Sequence, residues 1–410
     1  MLHDGDNMAS IKRANRSTAL HILHEKGMIS RKRLAEEMKL TPAAITKIVA
    51  ELIDDGLISE GSVVSSGSAG RREILIGLNS SAHFSLGILM NISTAIISAT
   101  DLNGKVIFSE KIRLERKAPA DAALEMLCSR LLELCSKNSL DKSLCIGVGI
   151  AIRGIISSDH RYIKNSYSVL DTANYPICDK VESLTGIPAI LENNVRALFC
   201  AQNFLSPAPD IATQFFLRCE YGIGAALSVN GQIIEGSTGQ CSEIGHIPYM
   251  RRGGKPCVCG KCGCLETVAS PVAIIEDSKA ILSPDKTPLL WNKALKKGAD
   301  NLLFEDIIDS ARDGDPGTLE IVEKAIIALS GALKSLIYLI DPGKIVLYGR
   351  MFDEPYCLNL LQTEMNIGVD ASHRVLVEKS EFNRELEYCA AGILAVDNYF
   401  NNGGYLNDNP

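Results

Sequence analysis

The chain has 410 residues, 46% hydrophobic and 22% charged, which is enough for two or three domains with ordinary apolar cores. No run is apolar for long enough to span a membrane and no signal-peptide core opens the chain, so the expectation is a cytoplasmic protein without membrane insertion. The formal net charge of −7 argues against a protein that is basic over its whole surface.

The charge is unevenly spread. Residues 1–80 carry 11 Lys and Arg against 10 Asp and Glu, a balance of +1; the remainder carries 31 against 39, a balance of −8. Nucleic acid would be repelled by the acidic body but not by the first segment. Of the thirteen cysteines, nine are scattered singly, mostly in apolar runs such as LEMLCSRLLELCS. That odd, scattered usage fits a reducing compartment in which thiols serve as small buried hydrophobes.

Three helical segments open the chain. The first runs from about Asn15 to Lys26 and stops at Gly27. The second, SRKRLAEEMKL, has Ser30 as its N-cap. The third, TPAAITKIVAELIDDG, has Thr41 as N-cap, Pro42 at its first position and Gly56 as its stop. In the third, Ile45, Ile48, Val49, Leu52 and Ile53 recur at helical spacing and face a core. Ala43, Ala44, Thr46 and Lys47 are left on the other side, beside Thr41; they are short or basic, as a helix lying in a major groove requires. Next, LISEGSVVSSGSAGRREILIGLN places two β-rich runs around a Gly/Ser tip that ends in Arg71 and Arg72, guanidinium groups suited to phosphates or a minor groove. Residues 1–80 are therefore expected to form a winged helix-turn-helix that binds double-stranded DNA.

From about residue 81 strands and helices alternate. FSLGILMNISTAIISATDLNGKVI and QFFLRCEYGIGAALSVNGQII share one plan: strand, tight turn, strand, Asn-Gly hairpin, strand. Two α/β lobes are expected, one over residues 81–200 and completed by a closing helix at about 385–400, the other over 201–384. The cleft between them is a natural small-molecule site. DAALEMLCSRLLELCS and GTLEIVEKAIIALSGALKSLIYLID read as long helices, IVLYGR as a late buried strand and EYCAAGILAVDNYF as the closing helix. The tail NNGGYLNDNP reads as disordered.

The run CVCGKCGCLET packs Cys257, Cys259, Cys262 and Cys264 into a glycine-rich loop. Cysteines this close do not easily pair with one another. A tetrahedral zinc site takes three or four soft or imidazole ligands, and His246 precedes Cys257 by a loop long enough to fold back. His246, Cys257, Cys259 and Cys264 would complete a closed, structural site. Spacing alone does not settle which of Cys259, Cys262 and Cys264 ligate.

The run YGIGAALSVNGQIIEGSTGQCSEIGHIPYMRRGGKPCVCGKCGCLETVAS, with GVGIAIRGII, AILENNVRAL and the closing CAAGILA, resembles the ROK family of repressors, open reading frames and sugar kinases. The resemblance covers about residues 82–400. With the winged helix in front, the architecture is that of the xylose-repressor and N-acetylglucosamine-repressor branch. The resemblance implies a two-lobed, actin-like (RNase H-like) α/β body. It also implies one structural zinc per chain on His246, Cys257, Cys259 and Cys264, with Cys262 on a variable position. A sugar pocket is implied at Asn193, Glu243, His246 and Glu266, whose amide, imidazole and carboxylates suit hydroxyl groups. His246 can hold zinc through one ring nitrogen and face the sugar with the other.

Against the kinases of that family, the chain departs at three places. Their general base is the Asp of an Asn-Asp pair; here the pair reads Asn193-Asn194, and Asn194 hydrogen-bonds a hydroxyl without taking its proton. The first phosphate loop is replaced by LMNIST, Leu89 to Thr94, with neither acid nor glycines. The adenosine-side glycines are reduced to Gly349 in LYGR. From the second phosphate loop only Gly222-x-Gly224 is kept, with making the turn as its simplest role. No catalytic residue is therefore assigned. The expected function is a sugar- or sugar-phosphate-responsive repressor that binds a palindromic operator as a homodimer or tetramer. The alternatives are a sugar kinase with a DNA-binding appendage and a regulator sensing a sugar-transport protein.

Overall fold

The computed structural model describes residues 8–64, 73–167, 169–208, 210–250, 252–367 and 375–406. The chain forms two compact units: Met1–Pro207 with Glu385–Pro410, and Ala208–Arg384.

The first unit begins with helix α1 (Met8–Lys26), strand β1 (Ile29–Ser30), helices α2 (Arg31–Met38) and α3 (Pro42–Asp54), and strands β2 (Ile58–Val64) and β3 (Glu73–Leu78). Helix α1 starts well before Asn15, because MASIKRA holds no residue that stops a helix. Both sequence-read caps form: Ser30 Oγ accepts from Arg33 N at 3.3 Å and Thr41 Oγ1 from Ala44 N at 3.3 Å. Ile45, Ile48, Val49 and Leu52 are buried, as are Leu20, Leu23 and Leu34 of α1 and α2, the helices α3 contacts. Strands β2 and β3 pair antiparallel and β1 adds to β3, which makes the fold a winged helix. The tip with Arg71 and Arg72 lies outside the described residues.

The body of this unit carries β4 (Phe84–Met90), β5 (Thr94–Asp101), β6 (Val106–Arg113), helix α4 (Ala120–Lys137), β7 (Cys145–Ile152), three short strands β8 (Ile155–Ile156), β9 (Ile163–Asn165) and β10 (Ala173–Tyr175), helix α5 (Ile177–Thr185), β11 (Ala189–Asn193) and helix α6 (Asn194–Leu205). The second unit carries β12 (Thr213–Cys219), β13 (Ile223–Val229) and β14 (Gln232–Ile233). Helices α7 (Glu266–Ala269), α8 (Pro271–Ala280), α9 (Pro288–Lys297), α10 (Phe304–Arg312) and α11 (Pro316–Ile340) follow. Then come β15 (Lys344–Tyr348), α12 (Arg350–Asp353), α13 (Pro355–Asn366) and β16 (Leu376–Lys379). Helix α14 (Leu386–Asn401) returns to the first unit.

The internal echo is real. One sheet runs β11-β7-β4-β5-β6 and the other β16-β15-β12-β13-β14; in each, the first three strands are parallel and the last two antiparallel. Each sheet is buried under its own apolar cluster. Among the described residues, no helix is long and apolar enough to cross a membrane.

Helix α14 lies on the first sheet through small residues. A Cβ on Gly149 of β7 would stand 1.7 Å from the Ala391 carbonyl oxygen, and Ser85 Oγ donates to Gly392 O at 2.9 Å. The tail corrects the reading of disorder for residues 402–406. Gly403 N donates to Phe400 O and Gly404 N to Tyr399 O, with φ of 68° and 79°. That is a left-handed helix stop, which only glycine adopts at little cost. The buried Arg16 of α1 then donates from Nε to Gly403 O at 2.8 Å.

Candidate DNA-binding face, metal cluster and effector residues

On α3 the residues on the side away from the core are Thr41, Ala43, Thr46 and Lys47, all exposed, while Ala44 is half-buried. Thr41 is committed as a cap, and Thr46 Oγ1 donates to Pro42 O at 2.8 Å. The outer face is thus short and weakly polar, with Lys47 as its cation. A helix with so little bulk can approach base edges closely.

In the second unit, Glu243 leads into a single turn, Ile244–His246, packed on β13. His246 Nδ1 stands 3.4 Å from Cys257 Sγ, and Cys259 Sγ stands 3.6 Å from Cys264 Sγ. One ligand atom from each of these four residues lies within 4.8 Å of the others. A tetrahedral ion with bonds of about 2.3 Å to sulfur holds its sulfurs about 3.8 Å apart, so the donor set fits such an ion. Bridges of Pro248 to Cys264 and Pro256 to Cys262 close the loop. Cys262 is exposed and outside the cluster, while Cys264 is buried.

The other ring nitrogen, His246 Nε2, lies 3.8 Å from a Glu243 oxygen. Glu266 opens α7, and its Oε2 accepts from Ile223 N at 2.8 Å. That bond gives Gly222 a role beyond turn-making: a Cβ there would stand 2.1 Å from Glu266 Oε2. Glycine is what lets the carboxylate reach β13.

Asn193 and Asn194 belong to the first unit. Asn193 caps α6, its Oδ1 accepting from Val195 N at 2.8 Å and Arg196 N at 3.3 Å. Its Nδ2 donates to Gly154 O at 2.9 Å, which leaves the second amide hydrogen for another acceptor. The buried Asn194 donates from Nδ2 to Oδ1 of Asn91, also buried, at 3.3 Å. Asn91 comes from the LMNIST run, so two of the kinase departures face one another as a neutral amide pair.

Sequence reasoning missed the charges beneath these amides. Glu192 is 6% exposed and accepts from Arg196 Nε at 2.7 Å and from Asn193 N. Burial pushes its carboxyl up from the ordinary carboxylate range, against the opposing pull of Arg196. His160 Nδ1 lies 3.1 Å from Leu191 O and 3.6 Å from a Glu192 oxygen. The i, i+4 spacing of Glu192 and Arg196 was visible, but it spans a strand end and a helix start, where that spacing alone predicts no pair.

The ROK family model matches residues 87–383 and the MarR family model matches residues 14–60. The chain is similar to the N-acetylglucosamine repressor of Shigella flexneri, 26% identical over 84% of this chain and 82% of that one. It is also similar to a glucokinase of Halalkalibacterium halodurans, 30% identical over 51% of this chain and 62% of that one. In structure it resembles a crystal structure of a ROK family transcriptional regulator homologous to the E. coli MLC protein. That match has a TM-score of 0.78 and 25% identity, covering 96% of this chain and 98% of the other.

Proposed function

The chain belongs to the ROK family, and from that membership we propose that it is a sugar-responsive, DNA-binding transcriptional regulator, acting as a repressor of carbohydrate-metabolism genes. The observation that carries the reading is the outer face of α3: Thr41, Ala43, Thr46 and Lys47 are exposed on a capped helix within a winged fold. The similarity to the N-acetylglucosamine repressor over 84% of the chain supports it.

A sugar or sugar phosphate is the effector, with Asn193, Asn194, Glu243, His246 and Glu266 as its candidate contacts. One zinc ion on His246, Cys257, Cys259 and Cys264 serves as scaffold for Glu243 and His246; its chemistry there is to fix the imidazole, not to activate water. The chain transfers no phosphate. Asn194 stands in the base position paired with Asn91, and an amide accepts no proton at neutral pH.

The test is capture of sheared genomic DNA by the purified chain. A discrete palindromic site is the expected result, matching a two-fold dimer. Capture of no fragment, with or without N-acetylglucosamine, xylose, glucose and their phosphates, would remove the DNA-binding reading. Sugar phosphorylation from ATP that is lost on Asn194→Ala would restore the kinase alternative.

A further inference from the structure

Strands β12 and β15 run parallel and adjacent, from Gln214 beside Lys344 to Arg218 beside Tyr348. Both therefore leave the sheet of the second unit at the same end. In an open α/β sheet, ligands gather just beyond the carboxyl ends of such strands, where loops diverge. Here the loop after β12 is Glu220-Tyr221-Gly222, and β15 is followed by Gly349, which leads into Arg350 of α12. They touch because Gly349 has φ +107°, and a Cβ on it would stand 2.6 Å from Cys219 O.

What fills this place is a side chain of the protein. Glu220 is 7% exposed. Its Oε2 accepts the Arg350 backbone N–H at 2.7 Å. Its Oε1 lies 3.9 Å from Arg350 Nε and 3.7 Å from an Arg384 guanidinium nitrogen. Arg218, one strand position short of the end, is also buried. A carboxylate this deep is costly unless it is paired and hydrogen-bonded. Its partners, a backbone N–H and two guanidinium groups, are those an oxyanion such as phosphate recruits. Arg350 is shared with Glu305, whose oxygen lies 3.4 Å from Nε.

We propose that Glu220 is a built-in anion: the chain's own carboxylate occupies the oxyanion position at the carboxyl end of the second unit's sheet. In the native protein that position admits no phosphate group, whether from a nucleotide or from inorganic phosphate. This deepens the non-kinase part of the proposed function and rests on it. It adds a physical block at Glu220 to the missing base at Asn194.

The experiment uses the full-length chain, with pyrophosphate and Mg-ATP as probes and thermal unfolding and calorimetric titration as readouts. Wild type is expected to show no shift and no heat with either probe. Glu220→Ala empties the position while leaving Arg350 N–H and both guanidinium groups, and pyrophosphate at about ten times its Kd should raise Tm by roughly 3–5 °C. Glu220→Ser also empties the position but leaves a small hydroxyl there, and carries the test where the Ala variant does not fold. Glu220→Ala with Arg350→Ala should lose the gain, which separates this position from adventitious anion binding. None of these variants should phosphorylate a sugar, because Asn194 remains. A wild-type chain that is itself stabilised by pyrophosphate or ATP would overturn the proposal, as would folded Ala and Ser variants that ignore both. Operator capture by the same preparations keeps the two readings apart: its loss in wild type sinks the regulator reading and leaves the pyrophosphate result standing.

Discussion

Replacing Arg16 with Met tests how the winged helix is held to the body. The Arg16 side chain is 1% exposed. Its Nε donates to Gly403 O at 2.8 Å, its Nη2 pairs with Asp55 at 2.6 Å, and its guanidinium carbon lies 4.4 Å from the centre of the Tyr405 ring. Glu51 approaches at 3.7 Å. Methionine replaces the aliphatic stem, so the loss is that of the guanidinium alone. A charged donor removed from a buried carbonyl costs about 1.5–3 kcal/mol. The ion pairs must be discounted, because Asp55 is 47% exposed, and they add at most about 1 kcal/mol. The ring contact adds about 0.5–1 kcal/mol. The whole is about 2–5 kcal/mol, which for a unit of this size lowers Tm by roughly 4–20 °C. Calorimetric unfolding of wild type and Arg16→Met measures it. The C-terminal turn, once freed, should also be cut sooner than in wild type in limited digestion with an endoprotease. A Tm within about 1 °C of wild type would refute the assignment of Arg16 as the tie between α1, the end of α3 and the turn after α14.

Lys47→Ala should weaken operator binding by a similar factor on all captured sequences and reduce the salt slope by about one, read by anisotropy across a salt series; an unchanged slope would remove Lys47 from the phosphate contacts. Cys259→Ser should lower the zinc content below one per chain by elemental analysis and lower Tm, whereas Cys262→Ser should leave both unchanged. Gly222→Ala should swing the Glu266 carboxylate off Ile223 N, at about the cost of one hydrogen bond, roughly 0.5–1.5 kcal/mol, and weaken sugar binding; calorimetric titration and melting read the two effects together.

Much of the architecture was legible because it rests on local signals. Ser30, Thr41 with Pro42, and the Asn230-Gly231 turn, with φ of 51° and 78°, are each readable from one or two residues. The gathering of His246, Cys257, Cys259 and Cys264 was legible as well, since His246 to Cys264 is one short loop. The features that escaped join residues far apart. Arg16 reaches Gly403 across 387 positions, and Glu220 reaches Arg350 across 130. No periodicity records such a contact. The tail NNGGYL looked disordered because asparagine and glycine mark both coil and left-handed helix stops; only the buried Arg16 decides between them. Gly222 looked like a turn residue because the carboxylate it accommodates, Glu266, lies 43 positions beyond the neighbouring Ile223.

The most direct test of the central claim is reciprocity between sugar and operator. The captured operator is titrated with protein in the presence and absence of each sugar and sugar phosphate, and the same sugar is then titrated into free and operator-bound protein. If one chain couples the two ligands, the sugar changes operator affinity and the operator changes sugar affinity by the same factor, about 5–150-fold. Operator affinity that no sugar alters, or a sugar whose binding is blind to the operator, would contradict the account.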